Sequence, residues 1–386
     1  MFRTLRNLIV NIMAACIRDR DARHKFRNKY KIRSKFRKLQ DDNRILFHEN
    51  KQIQAKLNKI KTDVARLNEK HLFKYKRGLI LQCRKFLDIP DLPAKYKILI
   101  EGLDDDSIQC VSRILSRMRL ISQQDPDAAP PTAWRSIDLY SPNEIEALEN
   151  LRKEYAQKVI QLSDDCFAYK HYLLPIRHFE SSVFYFKHQI PSLKDIGKLR
   201  HKDFIDVGGF IGDSALVFTE YTDGKIFSFE AVNKNYEYML KTIDLNNCKN
   251  IVPHKLALGS KDEELEVRVH GSASTMTPDS PVGFRENAII EKIKVTTLDS
   301  FVEKNNVDVG LIKVDIEGYE QEFLKGAEQT IRKLRPTMLL SIYHNSSDFF
   351  NIKPIVDSWN LGYTFKIQQP LFGHLWYETL LICECS

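Results

Sequence analysis

Residues 202–213, KDFIDVGGFIGD, limit the folds open to this chain more than any other stretch. Phe204 to Val207 read as a short buried strand that carries one acid, Asp206. Gly208, Gly209 and Gly212 follow, and a backbone without Cβ atoms can turn sharply there and come close to a ligand. Residues 214–220 then continue as a helix. Strand, glycine turn and helix in that order make half of a parallel β/α unit, and a nucleotide-type cofactor binds at such a turn.

The alternation continues to the end of the sequence. Strands are predicted at 225–229, 251–258, 309–314 and 337–343, with helices opening near Asp315 and at 348–360. Segments 264–270 and 292–296 read as a paired insertion around the polar loop 271–279. Segments 363–367 and 379–383 suit a closing antiparallel pair. Such a pattern predicts an α/β fold, an open and largely parallel sheet with helices on both faces. Ligands then bind beyond the carboxyl ends of the strands. Asp206, Glu230, Asp315, Glu317 and His344 all stand at strand ends, so they are expected on one rim although the sequence separates them.

The glycine spacing bears on the cofactor. In a dinucleotide fingerprint, G-x-G-x-x-G, Gly209 and Gly212 take the last two places and Val207 stands at the first, which makes a poor pyrophosphate cradle. Asp206, just before the turn, would repel a pyrophosphate and suits a sulfonium and an ammonium. Glu230, at the end of the next strand, is placed to take both ribose hydroxyls. The combination favours S-adenosylmethionine over NAD.

With 386 residues the chain has room for two or three domains. The net charge of +8 is concentrated at one end: residues 1–38 hold thirteen Lys or Arg against Asp19 and Asp21, a net of +11, which leaves the remainder near −3. Residues 1–31 carry apolar side chains at helical spacing among these bases, a pattern that suits a helix on an anionic membrane surface better than an export signal. Residues 32–70 read as a coiled coil, with Ile32, Leu39, Leu46, Ile53, Ile60 and Leu67 at the d positions and Phe36, Asn43, Asn50, Leu57 and Val64 at the a positions. Two Asn at a positions favour a parallel homodimer, and a single amphipathic helix in a bundle shows the same stripe. Residues 71–165 are expected to be helical around a linker near 125–135, and Ser141-Pro142-Asn143-Glu144 has the form of a helix start. Seven scattered cysteines form no metal-ligand cluster and read as reduced, cytoplasmic thiols.

Residues 170–386 resemble the FkbM-type S-adenosylmethionine-dependent methyltransferases. The resemblance rests on Asp206-Val-Gly-Gly-Phe-Ile-Gly-Asp-Ser214, Glu230, Ala257-Leu-Gly259, Thr297-Leu-Asp299, Leu311-Ile-Lys-Val-Asp-Ile-Glu-Gly-Tyr-Glu320 and Gly326-Ala327. It implies a class I methyltransferase domain, a Rossmann-like sheet of seven strands with the last antiparallel. It also implies O-methylation of a hydroxyl on a sugar, glycan or lipid-linked saccharide. On the matching motif, Asp206, Gly208, Gly209, Phe210, Gly212, Ser214, Glu230 and Ala257 would bind the cofactor. Members often carry an acid two residues before the position of His344, where this chain has Ile342.

Transfer of a methyl group from a sulfonium to a hydroxyl is an in-line displacement, helped by holding the oxygen against the methyl and by a base. His344 is the expected base because an unperturbed imidazole titrates near neutrality. Asp315 and Glu317 are expected to orient His344 or the acceptor, and Lys313 to keep either carboxylate ionised. No metal ligand set is expected. A nucleic-acid substrate is disfavoured, since the basic charge lies outside the catalytic region and no base-flipping motif is present. The alternative to an enzyme is a coiled-coil tether whose methyltransferase-like domain binds a ligand without turnover.

Overall fold

The computed structural model describes residues 17, 19–23, 43–128, 139–270, 273–275, 289–371 and 374–385. Most of the basic segment 1–31, the first heptads at 32–42, much of the linker near 125–135 and most of the polar loop 271–279 lie outside the described residues. Two compact units divide the chain: residues 1–85 with 120–134, and residues 86–119 with 135–386.

In the first unit, helix α1 (Asn43–Leu87) runs unbroken through the boundary expected at residue 70. Part of its stripe is covered from within the chain. Ile60 and Val64, a d and an a position, are buried against Ile17, with Ala22 and Leu67 alongside. The Arg23 guanidinium fixes that contact by donating to the Ile17 carbonyl at 2.9 and 2.6 Å. Two turns earlier, at Ile53, the stripe is open, with the side chain 47% exposed. Arg84 donates to the carbonyls of Ser122 and Gln124 and Arg77 to Asp127, which ties the start of the linker to α1.

The second unit begins with α2 (Leu92–Ile100) and α3 (Asp105–Ser122), the latter ending in the first unit. Helix α4 (Pro142–Glu154) starts on the predicted capping box, in which Ser141 and Glu144 bond to each other's backbone N–H. It stops at Glu154, short of the helical region expected through residue 165. A small antiparallel meander follows instead: β1 (Ile160–Ser163), β2 (Cys166–Tyr169) and β3 (Tyr172–Leu174). Tyr169, Tyr172 and Leu174 leave its surface to pack with Val183, Phe184, Ile211 and Leu216. That tertiary contact outweighs the helical pattern of the preceding residues.

The central sheet is built from β4 (Asp203–Val207), β5 (Ile226–Phe229), β6 (Ile251–His254), β11 (Val309–Val314), β12 (Thr337–Ser341), β13 (Tyr363–Gln368) and β14 (Leu380–Cys385). Its order is β13-β14-β12-β11-β4-β5-β6. Every pairing is parallel except the two made by β14. This is the class I methyltransferase sheet. Its strands are buried on both faces, as parallel strands between helices must be. The helices are α5 (Ser181–Phe184), α6 (Asp213–Phe218), α7 (Asn233–Leu245), α8 (Leu298–Asn305), α9 (Glu320–Leu334) and α10 (Ser346–Ser358).

The predicted insertion is present. β7 (Ala257–Leu258), β8 (Glu263–His270), β9 (Ala273–Thr275) and β10 (Ile289–Thr296) form a second sheet, with β8 and β10 antiparallel. Val267, Val269, Ile293 and Val295 turn one face of it onto Val232. Chain direction across the main sheet reverses between β4 and β11, so a cleft opens above their carboxyl ends. Among the described residues no helix is long and apolar enough to cross a membrane.

Candidate active site

The glycine turn lies at that switch point, and its composition follows from what surrounds it. Gly208 has φ +78°, and a Cβ there would stand 1.9 Å from the Asp315 carbonyl oxygen. A Cβ on Gly209 would stand 2.1 Å from Ser228 Oγ. The closeness of β11 and β5 therefore excludes side chains at both positions. Gly208 lines the cavity above the turn, whereas Gly209 and Gly212 abut Ser228 and Met239, so contacts inside the protein set the need for glycine at those two. The N–H groups of Gly208 and Gly209 both donate to the Phe229 carbonyl, at 3.1 and 2.8 Å. Phe210 is held in the left-handed region at φ +45°, with its N–H donating to Glu230 Oε2 at 3.0 Å.

Asp206 departs from its expected place. It is fully buried beneath the turn and does not line the cavity. Ser228 Oγ donates to its Oδ2 at 2.7 Å, and Lys313 Nζ lies 3.2 Å from its Oδ1. A carboxylate satisfied in this way supports the turn from below, and the attraction for a cation that the sequence assigns to it falls to other acids. Lys313 does more than the expected holding of Asp315 in its ionised form: it pairs with Asp206 and donates to the Gly208 carbonyl at 2.9 Å, joining β11 to the turn. Burial opposes its charge, but Asp206, Asp315 and Asp213 outweigh that and hold the ammonium above its ordinary pKa.

The cavity measures about 240 Å³ and has two ends of different character. At one, Phe229, Val232, Leu256, Ala257, Val267 and Ile293 form an apolar slot beside Glu230. Glu230 accepts from Phe210 N–H and from Val232 N–H, the latter at 2.7 Å, and each oxygen keeps a lone pair. Burial pushes its carboxyl up to about 7. Ser214 and Asp213, from the first turn of α6, also line the cavity. His188 Nε2 lies 3.0 Å from Ser214 Oγ, and burial, with Lys313 nearby, lowers His188 to about 3, so it is neutral. Lys187, His188 and Gln189 all have positive φ, a strained run that turns this imidazole toward the site.

At the other end carboxylates converge. Asp213, Asp315, Glu317, Glu180 and Glu378 line it, with the Tyr343 hydroxyl among them. The turn after β11 presents Asp315 and Glu317. Glu317 (φ +56°) and Gly318 (φ +99°) reverse the chain there, so that α9 begins only at Glu320. Asp315 therefore faces the cavity and does not cap the helix. Behind it, His344 Nε2 lies 3.2 Å from Asp315 Oδ1 and 3.8 Å from Glu317 Oε2, while Nδ1 lies 3.0 Å from Glu320 Oε1.

This arrangement overturns the expectation that His344 is the base. Its side chain is 7% exposed, both ring nitrogens face acids, and it does not line the cavity. Burial opposes protonation, but Glu320 and Asp315 outweigh it and raise the imidazole well above its ordinary value, so it is a cation at neutral pH. Burial would raise Asp315, and His344 and Lys313 together bring it down to about 2. Glu317 rises to about 7 through burial and the neighbouring Asp315 and Glu320, offset in part by His344. The ligand atoms of Asp315, Glu320 and His344 lie within 4.8 Å of one another. Because His344 turns opposite nitrogens to the two acids, the three form a chain and not a shell around one ion.

The acid that pairs with His344 is thus supplied by Glu320 and Asp315, where the family pattern would place it at Ile342. Sequence reasoning gave no role to Glu320, Tyr343, Glu378, Asp213 or Glu180. Glu320 lay in the motif and Tyr343 beside His344, but nothing in the sequence marks Glu378, which precedes β14 and reaches the rim only because β14 inserts between β12 and β13.

Residues 206–378 match the model of a family described as the methyltransferase FkbM domain. A curated protein named Methyltransferase 1, from Beauveria bassiana (strain ARSEF 2860), is 23% identical over 231 residues, covering 55% of this chain and 91% of that protein. Among solved structures, methyltransferase FkbM from Methylobacillus flagellatus KT is 18% identical with a TM-score of 0.48, over 77% of this chain and 60% of its own. A putative methyltransferase from Streptococcus mutans, solved in complex with SAH, is 10% identical with a TM-score of 0.33, over 52% of this chain and 96% of its own.

Proposed function

Residues 206–378 belong to the methyltransferase FkbM family, and from that premise we propose that this chain methylates a hydroxyl of a sugar, glycan or lipid-linked saccharide with S-adenosylmethionine as the donor. The observation that carries the reading is the two-ended cavity, with an apolar slot and a ribose-type acid at one end and converging carboxylates at the other.

The residues fit the cofactor by size and charge. The slot between Phe229, Leu256 and Ile293 suits a flat adenine, and the lone pairs left on Glu230 suit two ribose hydroxyls. Asp213 and Asp315 offer negative charge for the ammonium and the sulfonium, in the place of the buried Asp206. When bound, the cofactor supplies an electrophilic methyl group. The protein supplies position and charge: Asp315, held ionised by His344 and Lys313, orients the acceptor hydroxyl along the line of transfer. His344 acts here as a positioning cation that fixes Asp315, itself braced by Glu320.

The cations that line the cavity also bear on the acceptor. Lys313 is paired with Asp206, His178 Nε2 lies 3.2 Å from Glu180, and His188 is neutral. An acidic rim with its cations committed favours an uncharged polyol over the phosphate of a nucleic acid.

Incubation with methyl-labelled S-adenosylmethionine and glycan extracts, followed by mass spectrometry, tests the proposal. Label in a saccharide hydroxyl is expected; label only in nucleic acid or protein would reject the acceptor class. His344→Gln is expected to lower kcat by a far larger factor than it changes the cofactor Kd.

A further inference from the structure

The site as described orients an acceptor hydroxyl but leaves its proton without a destination, since His344 is already a cation. We propose that Glu378 takes this proton, with Tyr343 linking it to the ionised Asp315, an assignment that rests on the methyl-transfer reading above. The Tyr343 hydroxyl stands 3.3 Å from both Asp315 oxygens and 3.3 Å from Glu378 Oε1. It has one proton to donate between two acids, so the pair it bridges holds either one extra proton or one extra charge. Glu378, Tyr343, Asp315, His344 and Glu320 thereby form a continuous chain that opens to the cavity at Glu378 and ends in the interior at Glu320.

Glu378 is also held in place. Its neighbours Trp376 and Thr379 are buried, the Thr379 hydroxyl donates to the Trp376 carbonyl at 2.5 Å, and Trp376 packs on Phe86 at a ring separation of 6.3 Å. Glu378 itself has φ +62°, a strained conformation that the anchored residues on either side impose. Other cavity-lining candidates are engaged: Lys313 by Asp206, His178 by Glu180, Asp315 by His344 and His188 by Ser214, while Asp213 is given to the cofactor's charge. Glu317 is the rival, and it has His344 Nε2 at 3.8 Å as a counter-cation.

The charges that face Glu378 come from three segments. His178 and Glu180 precede α5, Asp315 and Glu317 follow β11, and Tyr343 and His344 follow β12. Burial, with Glu180 and Asp315, pushes Glu378 up to about 8, against a smaller opposing effect of His344. A cation in the cavity therefore favours its ionised form. In the transfer, an oxygen lone pair forms the new C–O bond, the C–S bond breaks with its electron pair going to sulfur, and Glu378 accepts the hydroxyl proton. The positive charge at sulfur disappears in the same event, so protonation of Glu378 becomes favourable as the oxygen loses its proton. Glu378 then returns the proton to solvent.

The test needs no acceptor. Calorimetry near pH 8 in two buffers of different ionisation heat counts the protons released on binding. S-adenosylmethionine and S-adenosylhomocysteine serve as probes because they differ in the charge at sulfur. The charged probe is expected to release on the order of half a proton more, as for a group poised at its pKa. Glu378→Gln should abolish the excess and Glu317→Gln should preserve most of it. Tyr343→Phe, which removes a donor to the ionised carboxylate while filling the same space, should move the midpoint of release to higher pH. An excess unchanged in Glu378→Gln, or lost in Glu317→Gln instead, overturns the assignment of Glu378 while the cofactor reading stands. Failure of the wild type to bind either probe overturns that reading, and this one with it.

Discussion

The two ends of the cavity are built in different ways. The adenosine end is fixed through the backbone: β4, the glycine turn and α6 run through residues 203–218, Glu230 joins that turn through backbone N–H groups, and the apolar slot beside it is lined from residues 229–293. The acceptor end draws Glu180, Asp315, Tyr343 and Glu378 from four separate segments, and its charges are set by ion pairs among buried side chains. Backbone geometry defines the first end and coupled electrostatics the second. Substitutions should therefore have local, separable effects at the adenosine end and shared effects at the acceptor end.

The largest expected effect lies at the seam between them. Lys313→Met leaves Asp206 as an unpaired buried charge and should cost about 3–5 kcal/mol of stability, read by chemical denaturation. Asp206→Asn added to it should recover part of the loss. If the single variant is as stable as the wild type, the buried pair does not join the two ends.

Glu230→Ala should next weaken S-adenosylmethionine binding by about 1.5–3 kcal/mol in calorimetry, through lost charge-assisted bonds to the ribose. Proton release near pH 8 should be little changed in this variant. Coupling between Glu230 and that release would erase the proposed separation of the two ends.

A pH series sorts the buried groups of both ends by sign. Asp213, Glu230, Glu317 and Glu378 are raised to about 6, 7, 7 and 8, so the folded state holds their protons more tightly than the unfolded chain. Their destabilising contribution is absent below about pH 4.5, grows as pH rises and is complete above about 8. His344, raised above 6.5, changes stability in the same direction over neutral and alkaline pH. Asp315, lowered to about 2, contributes stability that is lost only in strong acid. The melting temperature without cofactor should fall between pH 6 and 8.5, by about 2–4 °C for each kcal/mol lost, and added cofactor should reduce the slope. A melting temperature that rises over this interval would show that the acids are not gathered as described.

The smallest expected effect tests the first unit. Ile53→Lys, on the open part of the α1 stripe, should change stability by less than about 0.5 kcal/mol, whereas Ile60→Ala should cost about 2–4 kcal/mol because Ile17 covers that position. A dimer seen by light scattering that Ile53→Lys converts to a monomer would instead mean that the exposed stripe pairs between chains.

The sequence by itself determined the α/β alternation, the glycine turn, the antiparallel end of the sheet and the gathering of acids at the strand ends. Each follows from local pattern, because a period of two or of 3.6 residues and a residue's tolerance of positive φ are properties of short stretches. Only the tertiary structure decided which acid meets which base. Asp206 and His344 show why: both lie where the sequence puts them, at the ends of β4 and β12, yet one is neutralised by Lys313 from the adjacent β11 and the other is held charged by Asp315 and Glu320. A carboxylate or an imidazole takes its protonation state from burial and from partners a few ångströms away, and strand order brings those partners from residues far apart in the chain.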